Sequence, residues 1–312
     1  MENTEEKPAK KKTRKPDTFN ENVYIPKNFQ QYAVVADNIA KLFPTRSFGE
    51  IHFSGSLGGI TSKFVRLTDY TGYANLETLL LDVWKISKPT LVFALIGDQS
   101  DLDLKENQKK ALKEGLANTL TGTDKWLITC GCNKGITEIS QDLLSETLER
   151  PNYIAIGVVS WANVALSERL ENSNTKGMYP AEYPSTSDGG NLNKFSTHYL
   201  FVDNGKKNHA EVEFTVWSKI SLGIINSNSN TNIFMICGEG DALSIKMILD
   251  ALSRGNACLI LNKTGGAADI LSFAYNSFGN FESEDEYKKV VFEFIEKKTY
   301  STNKIIFAIL PD

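Results

Sequence analysis

No run of 18 apolar residues occurs in this 312-residue chain, so it encodes no transmembrane helix. The longest apolar runs, Leu91–Ile96 and Ala257–Leu261, are strand-sized. Residues 1–16 carry charge but no apolar stretch, which reads against a secretory signal. Cysteine is scarce: Cys130, Cys132, Cys237 and Cys258 each sit in or beside apolar sequence, the pattern of buried thiols in a reducing compartment. Cys130 and Cys132 form C-x-C, and no second pair follows, so no metal site is expected. The three histidines, His52, His198 and His209, have no ligand spacing. G-x-x-x-x-G-K-[ST], G-x-G-x-x-G and G-x-S-x-G are all missing. Their absence disfavours P-loop hydrolysis, the dinucleotide fingerprint and a serine hydrolase built on Ser56, Ser160 or Ser196. Positive charge is not in excess, with 34 Lys and Arg against 38 Asp and Glu and a net charge of −4. That balance disfavours a generally basic nucleic-acid binder and leaves only a local patch open.

The composition, 41% hydrophobic and 23% charged, is that of a globular protein long enough to bury a sizeable core. Residues 1–18 read as a disordered basic tail. They hold Lys7, Lys10, Lys11, Lys12, Arg14 and Lys15 with almost nothing apolar, and such a segment repels itself and has no surface to bury. The other reading, a nuclear-import or acidic-lipid patch, is diluted by Glu2, Glu5, Glu6 and Asp17.

Beyond the tail the period alternates. Strands are expected at 51–54, 63–67, 90–96, 125–130, 153–159, 198–202, 232–237 and 257–261. Helices are expected at 75–86, 105–120, 134–149, 208–223, 241–253, 266–278 and 284–296, the last with Ser283 and Glu286 as a capping box. Residues 171–194, rich in Asn, Ser, Gly and Pro, read as a long loop, either lid or insert. Ile305–Leu310 reads as a last strand or a docking segment. Nearly all-apolar strands alternating with amphipathic helices predict an α/β fold, a Rossmann-like parallel sheet with helices on both faces. The expected division is the tail at 1–18, one α/β domain at 19–280 and a C-terminal helical extension at 281–312.

Ligands of such sheets bind outside the carboxyl ends of the strands. Four of those ends carry small or polar turns: Gly97-Asp98, Thr129-Cys130-Gly131-Cys132-Asn133-Lys134-Gly135, Gly238-Glu239-Gly240-Asp241 and Thr264-Gly265-Gly266. Glycine there permits close backbone approach, and the helix N-termini that follow would present free N–H groups to a phosphate. Lys134 is either a phosphate contact or a surface lysine. Glu239 and Asp241 are either ribose acceptors or, for Asp241, a helix cap. Trp161 either stacks on a base or plugs the core under the long loop, and Asp203 belongs to the Asp203-Asn204-Gly205 turn at the same edge. His198 reads as a packed, hydrogen-bonded residue.

In order, these segments resemble the cytosolic N-terminal homology region of TRPM cation channels, which belongs to the SLOG, lysine-decarboxylase-like superfamily. The family's YVRLS strand is similar to Phe64-Val65-Arg66-Leu67-Thr68, and its strand ending in V-x-G-G is similar to 89–98. Its G-A-W-I-x-T-G-G-x-x-T-G-V is similar to 123–136, its A-I-G-I-A-P-W-G to 155–162, its H-T-H-F-x-L-x-D-N-G to 196–205 and its V-x-E-G-G-P to 237–241. Its D-G-S-G-R-A-x-D-I-L-x-F-A stretch is matched directly at Ala267, Asp269, Ile270, Leu271, Phe273 and Ala274. The resemblance covers about 47–280. Asp98, Cys130, Lys134, Ser160, Ala162 and Gly266 depart from it, the last where the family has an arginine. Losing that bidentate donor weakens anion recognition unless Lys134 or Lys263 replaces it.

The resemblance implies a non-catalytic module in the cytoplasm that senses a nucleotide derivative such as ADP-ribose. It would have no cofactor, and it would reach the cytosolic face of a membrane through a channel subunit or associate with itself. Two other readings stand beside it. One is a degenerate SLOG scaffold that makes protein contacts without a ligand. The other is a nucleoside-monophosphate phosphoribohydrolase, against which the turn 238–245 lacks the catalytic glutamate of that group.

Overall fold

A computed structural model describes residues 34–38, 41–45, 47–54, 59–97, 102, 104–120, 122, 124–145, 153–171, 177–180, 190–205, 211–227 and 231–299. The basic tail, Asp98, His209 and Ile305–Leu310 lie outside the described residues.

Val34–Asn38 (β1) and Lys41–Pro44 (β2) form a separate antiparallel pair. The main sheet holds Phe48–Ser54 (β3), Thr61–Leu67 (β4), Leu91–Ile96 (β5), Lys125–Thr129 (β6), Ile154–Ser160 (β7), Gly177–Pro180 (β8), His198–Val202 (β9), Asn232–Gly238 (β10) and Ala257–Leu261 (β11). Its order is β11-β10-β5-β6-β7-β9-β4-β3-β8. From β11 to β4 every pairing is parallel, while β3 runs antiparallel to β4 and carries β8 parallel to itself. The α/β sheet is therefore the expected one with two additions. β3 returns directly into β4 through a short connection, which forces an antiparallel pair. β8 lies inside the stretch read as loop, where four residues without clear alternation carry too little signal to register.

The central strands explain the apolar runs. Ile154–Ser160 and His198–Val202 are buried at every residue, as a strand covered on both faces must be. On one face lie Tyr73–Glu77 (α1), Glu211–Ser227 (α4), Ala242–Ser253 (α5) and Gly266–Ser277 (α6), which pack Leu76, Val216, Trp217, Ile220, Ile248 and Ala268 onto the strands. The other face is covered by Glu106–Thr119 (α2) and Gly135–Ser145 (α3), through Leu116, Ile136 and Ile139. Farther along that face, the segment 161–170 and residues 192–195 take over from the helices. The last helix, Glu284–Thr299 (α7), docks on α6 by stacking Phe294 on Phe273 at 4.0 Å and by donating from the Tyr287 hydroxyl to Ala274 O. Its start is capped by Ser283, whose hydroxyl accepts from Glu286 N.

The helix expected at 75–86 starts at Tyr73 and changes winding: Thr78–Val83 is a π-helix. The wider turn lets Trp84 N reach Leu79 O, keeping both Leu79 and Leu80 inside the core.

Tyr73 also fixes α4. A Cβ on Gly223 would overlap the Tyr73 ring, whose hydroxyl donates to Gly223 O at 2.8 Å. Gly to Ala inside a helix ordinarily stabilises by about 1 kcal/mol. Here the overlap outweighs that gain. Gly223→Ala should destabilise by about 1–3 kcal/mol in urea unfolding, and pairing it with Tyr73→Ala should recover part of the loss. A more stable single variant would show this packing to be wrong.

Candidate ligand site at the carboxyl ends of the strands

The four glycine-bearing turns follow β5, β6, β10 and β11, which are adjacent in the sheet. From β5 the chain moves toward β6, and from β10 it moves the other way to β11. The strands β5 and β10 therefore flank the topological switch point, where α/β sheets open a crevice.

The turns pack against one another backbone to backbone. Gly97 has φ +116°, and a Cβ on it would overlap the carbonyl of Gly238. A Cβ on Gly266 would overlap Gly240 O, and one on Gly131 would lie 2.9 Å from Gly157 Cα. This closeness occupies some of the amides at the helix N-termini. Ile136 N at the start of α3 donates to Gly97 O, while Ala267 N and Ala268 N at the start of α6 donate to Gly240 O and Glu239 O. Glu239 N donates to Thr264 Oγ1 at 2.8 Å, Gly265 N to Asp269 Oδ1 and Gly131 N to Thr129 Oγ1. Asn133 N donates to Asn191 O at 2.7 Å. The expectation of free N–H groups at these helix starts is thus corrected: several are satisfied by the neighbouring turn. Asp241 caps α5, accepting from Ser244 N at 3.1 Å. Lys134 stays exposed beside Gly135, which opens α3.

Behind these turns, on the α4 and α5 face, is a cleft of about 90 Å³. Its floor is Ala94, Ile96, Ile128 and Val158, and Trp217 and Met247 close it from the helices. Gly97, Thr129, Asn163, Glu213, Asp241 and Ser244 supply its polar groups, so its described lining has two carboxylates and no lysine or arginine. Glu213 accepts from Ser160 N at 2.6 Å. Neither Asn163 nor Glu213 follows directly from the search at strand ends. The one signal for Glu213 is a carboxylate in the apolar stretch 212–217, which makes the helical pattern of α4 ragged.

Trp161 and Asp203 lie elsewhere, on the opposite face. Trp161 is buried, set edge-on to Phe201, and the Arg66 guanidinium sits 4.3 Å above its ring. Arg66 donates through Nε at 3.0 Å and Nη2 at 2.6 Å to Asp203 Oδ2, and Asp203 Oδ1 accepts from Gly205 N. His198 is packed against Trp84, with Nδ1 2.8 Å from Thr197 Oγ1. No disulfide joins the four cysteines.

Over residues 62–307 the chain matches the sequence model of a family described as SLOG in TRPM. The chain belongs to this family. It is 27% identical over 245 residues to the rat transient receptor potential cation channel subfamily M member 2, covering 73% of this chain and 16% of that protein. A transient receptor potential channel of Caenorhabditis elegans is 25% identical over 245 residues, 75% of this chain and 12% of that protein. The rat subfamily M member 4 is 27% identical over 244 residues, 73% of this chain and 20% of that protein. The chain thus spans under a fifth of the length of the first curated relatives it matches. No helix among the described residues is long and apolar enough to cross a membrane.

In this SLOG domain the Arg66–Asp203 pair is a structural device. Glu171 also lies 3.5 Å from Arg66 Nη1, so Asp203→Asn, which leaves that carboxylate in place, should cost about 1–3 kcal/mol, and Arg66→Met should cost less than Arg66→Ala because the longer side chain leaves a smaller void. Chemical denaturation reads both.

Cys237, at the end of β10, is pushed up to about 12 by burial first, then by Cys258, Asp241 and Glu239. The folded state therefore holds a neutral thiol where an unfolded one, near its ordinary 9.0, would ionise. That contribution is fully present below pH 9, and it is lost as pH rises from about 9 toward about 12. Wild type should lose stability more steeply than Cys237→Val over the accessible lower part of that window. Parallel slopes would contradict it.

Proposed function

We propose that this chain is the regulatory, non-catalytic SLOG module of a TRPM-type cation channel, lying at the cytosolic face of the membrane. In this reading, residues 19–280 form the sensing domain and 281–312 a C-terminal helical extension. The module senses a nucleotide-derived small molecule of the ADP-ribose kind in the cleft at the switch point and passes that occupancy to a channel subunit.

One observation carries the reading: four glycine turns converge at one edge beside a cleft with an apolar floor and a few polar groups, the lining of a ligand pocket; at about 90 Å³ it would take only one part of such a ligand. The cleft lining assigns the parts of the ligand. Its carboxylates, Glu213 and Asp241, suit hydroxyl or amino donors of a ribose or base. Anionic phosphates would be repelled there and must sit outside it, toward Lys134 and Lys263. Lysine serves such a role as a point charge rather than as a fork.

The occupied amides at the helix N-termini favour a second reading, a scaffold that kept the fold and serves protein contacts alone. Thermal unfolding against ADP-ribose, cyclic ADP-ribose, NAD and AMP separates the two. A ligand at 100 times its Kd should add about 2.7 kcal/mol. Leu243→Trp, which fills the cleft from α5, should abolish that shift with little change in the unliganded melting temperature. No shift with any of the four would leave the scaffold, and release of base from AMP would instead establish an enzyme.

A further inference from the structure

The opposite edge of the sheet carries a second cavity, independent of the switch-point cleft. It holds about 320 Å³, inside the size range of small-molecule pockets. Its walls come from the amino-terminal ends of β4 and β9, from β3, and from the chain leaving the π-helix. Cross-strand pairing sets Glu50 beside Lys63 and Lys63 beside His198 on the same face. The apolar core thus ends here in a charged row, with Trp84 packed against His198 at 4.8 Å.

Several costs meet in this wall. Burial depresses the Lys63 ammonium, Glu50 partly restores it, and the neighbouring charge of Lys85 depresses it further. Lys85 itself has φ +53°, a left-handed backbone that a residue with a Cβ adopts at a penalty. It follows the Trp84 cap of the π-helix, a winding that recurs at functional sites. The Trp84 indole nitrogen is buried and has no hydrogen-bond partner. Strain, like-charge approach and an unsatisfied donor concentrated in one concave wall are features that a bound group can offset.

We propose that this cavity binds the oxyanion of a small metabolite, a carboxylate or a phosphate, held between Lys63 and Lys85. The anion supplies the negative charge that two neighbouring ammonium groups lack. Glu50, which is also 3.7 Å from His52, keeps the site close to neutral once one anionic group is bound. That limits the class to singly or doubly charged ligands and disfavours polyphosphates. Their hydroxyl or amide portions would face Ser87 and Thr61.

The test uses the whole chain and two probes, inorganic phosphate and succinate, titrated at constant ionic strength with chloride as the control. Calorimetry and melting temperature are read together. At least one probe should bind saturably, and Lys63→Met should weaken it about tenfold or more. Lys85→Gly is the decisive variant. It relieves the left-handed strain, so it should raise the melting temperature while weakening the anion to the same degree. A lysine serving only structure would change the first and leave the second alone. Leu243→Trp, in the other cleft, should leave this binding intact. Absence of saturable binding by both probes, or binding unchanged in Lys85→Gly, would overturn the proposal.

Discussion

The contact on which the rest of this structure depends is between backbones. At the carboxyl ends of β5 and β10 the chain of Gly97 lies so close to Gly238 that no side chain fits between them. The starts of α3 and α6 then hydrogen-bond to carbonyls of the neighbouring turns. This locks four strand ends into one layer and fixes where the crevice opens, and the crevice falls behind the turns. Glycine-rich turns after parallel strands invite a phosphate reading, because a missing Cβ and a helix N-terminus suit an anion. Here the same two properties are spent on turn-to-turn packing. A buried N–H must have a partner, and a carbonyl from the next turn satisfies it as well as a phosphate oxygen would.

That distinction marks how far the sequence could be read. The order of strands and helices was legible because the central strands are apolar throughout and most of the helices carry one apolar stripe, α4 being the ragged exception. Family membership was legible because motifs such as Phe64–Thr68 and Ala267–Ala274 keep their order along the chain. The turns were legible as turns, and their adjacency follows from the fold. What they bond to was not legible, since a local pattern does not say which neighbour will occupy an amide. Trp161 and Asp203 illustrate the same limit. Both follow strand ends, but Arg66, on β4, draws them to the opposite face through contacts spanning more than 90 residues of sequence.

Residues without a motif do much of the positioning. Asn193, in the stretch read as a loop, is fully buried. Its N–H donates to Gly131 O, its side-chain amide donates to Thr137 O, its Oδ1 accepts from Phe195 N, and its carbonyl accepts from the Tyr199 hydroxyl. One asparagine thereby ties the β6 turn, α3 and β9 together. Burying so many polar atoms is tolerable only because each has a partner. No periodicity announces such a residue.

Charge is divided between the two edges of the sheet. At the carboxyl edge the cleft lining offers Glu213 and Asp241, where helix N-termini direct their positive ends. At the amino edge the cavity offers Lys63 and Lys85 against one carboxylate, Glu50. Acidic groups near helix N-termini are stabilised by the helix dipole, and Asp241 shows this directly as the cap of α5. The carboxylates at the carboxyl edge thus already complement local positive potential within the fold. Of the lysines at the amino edge, Lys85 lies just past the C-terminal end of the π-helix, where the helix dipole also favours a cation. Glu50 is the one carboxylate among the described lining residues, so two lysines against one carboxylate leave room for an added anion at the amino edge.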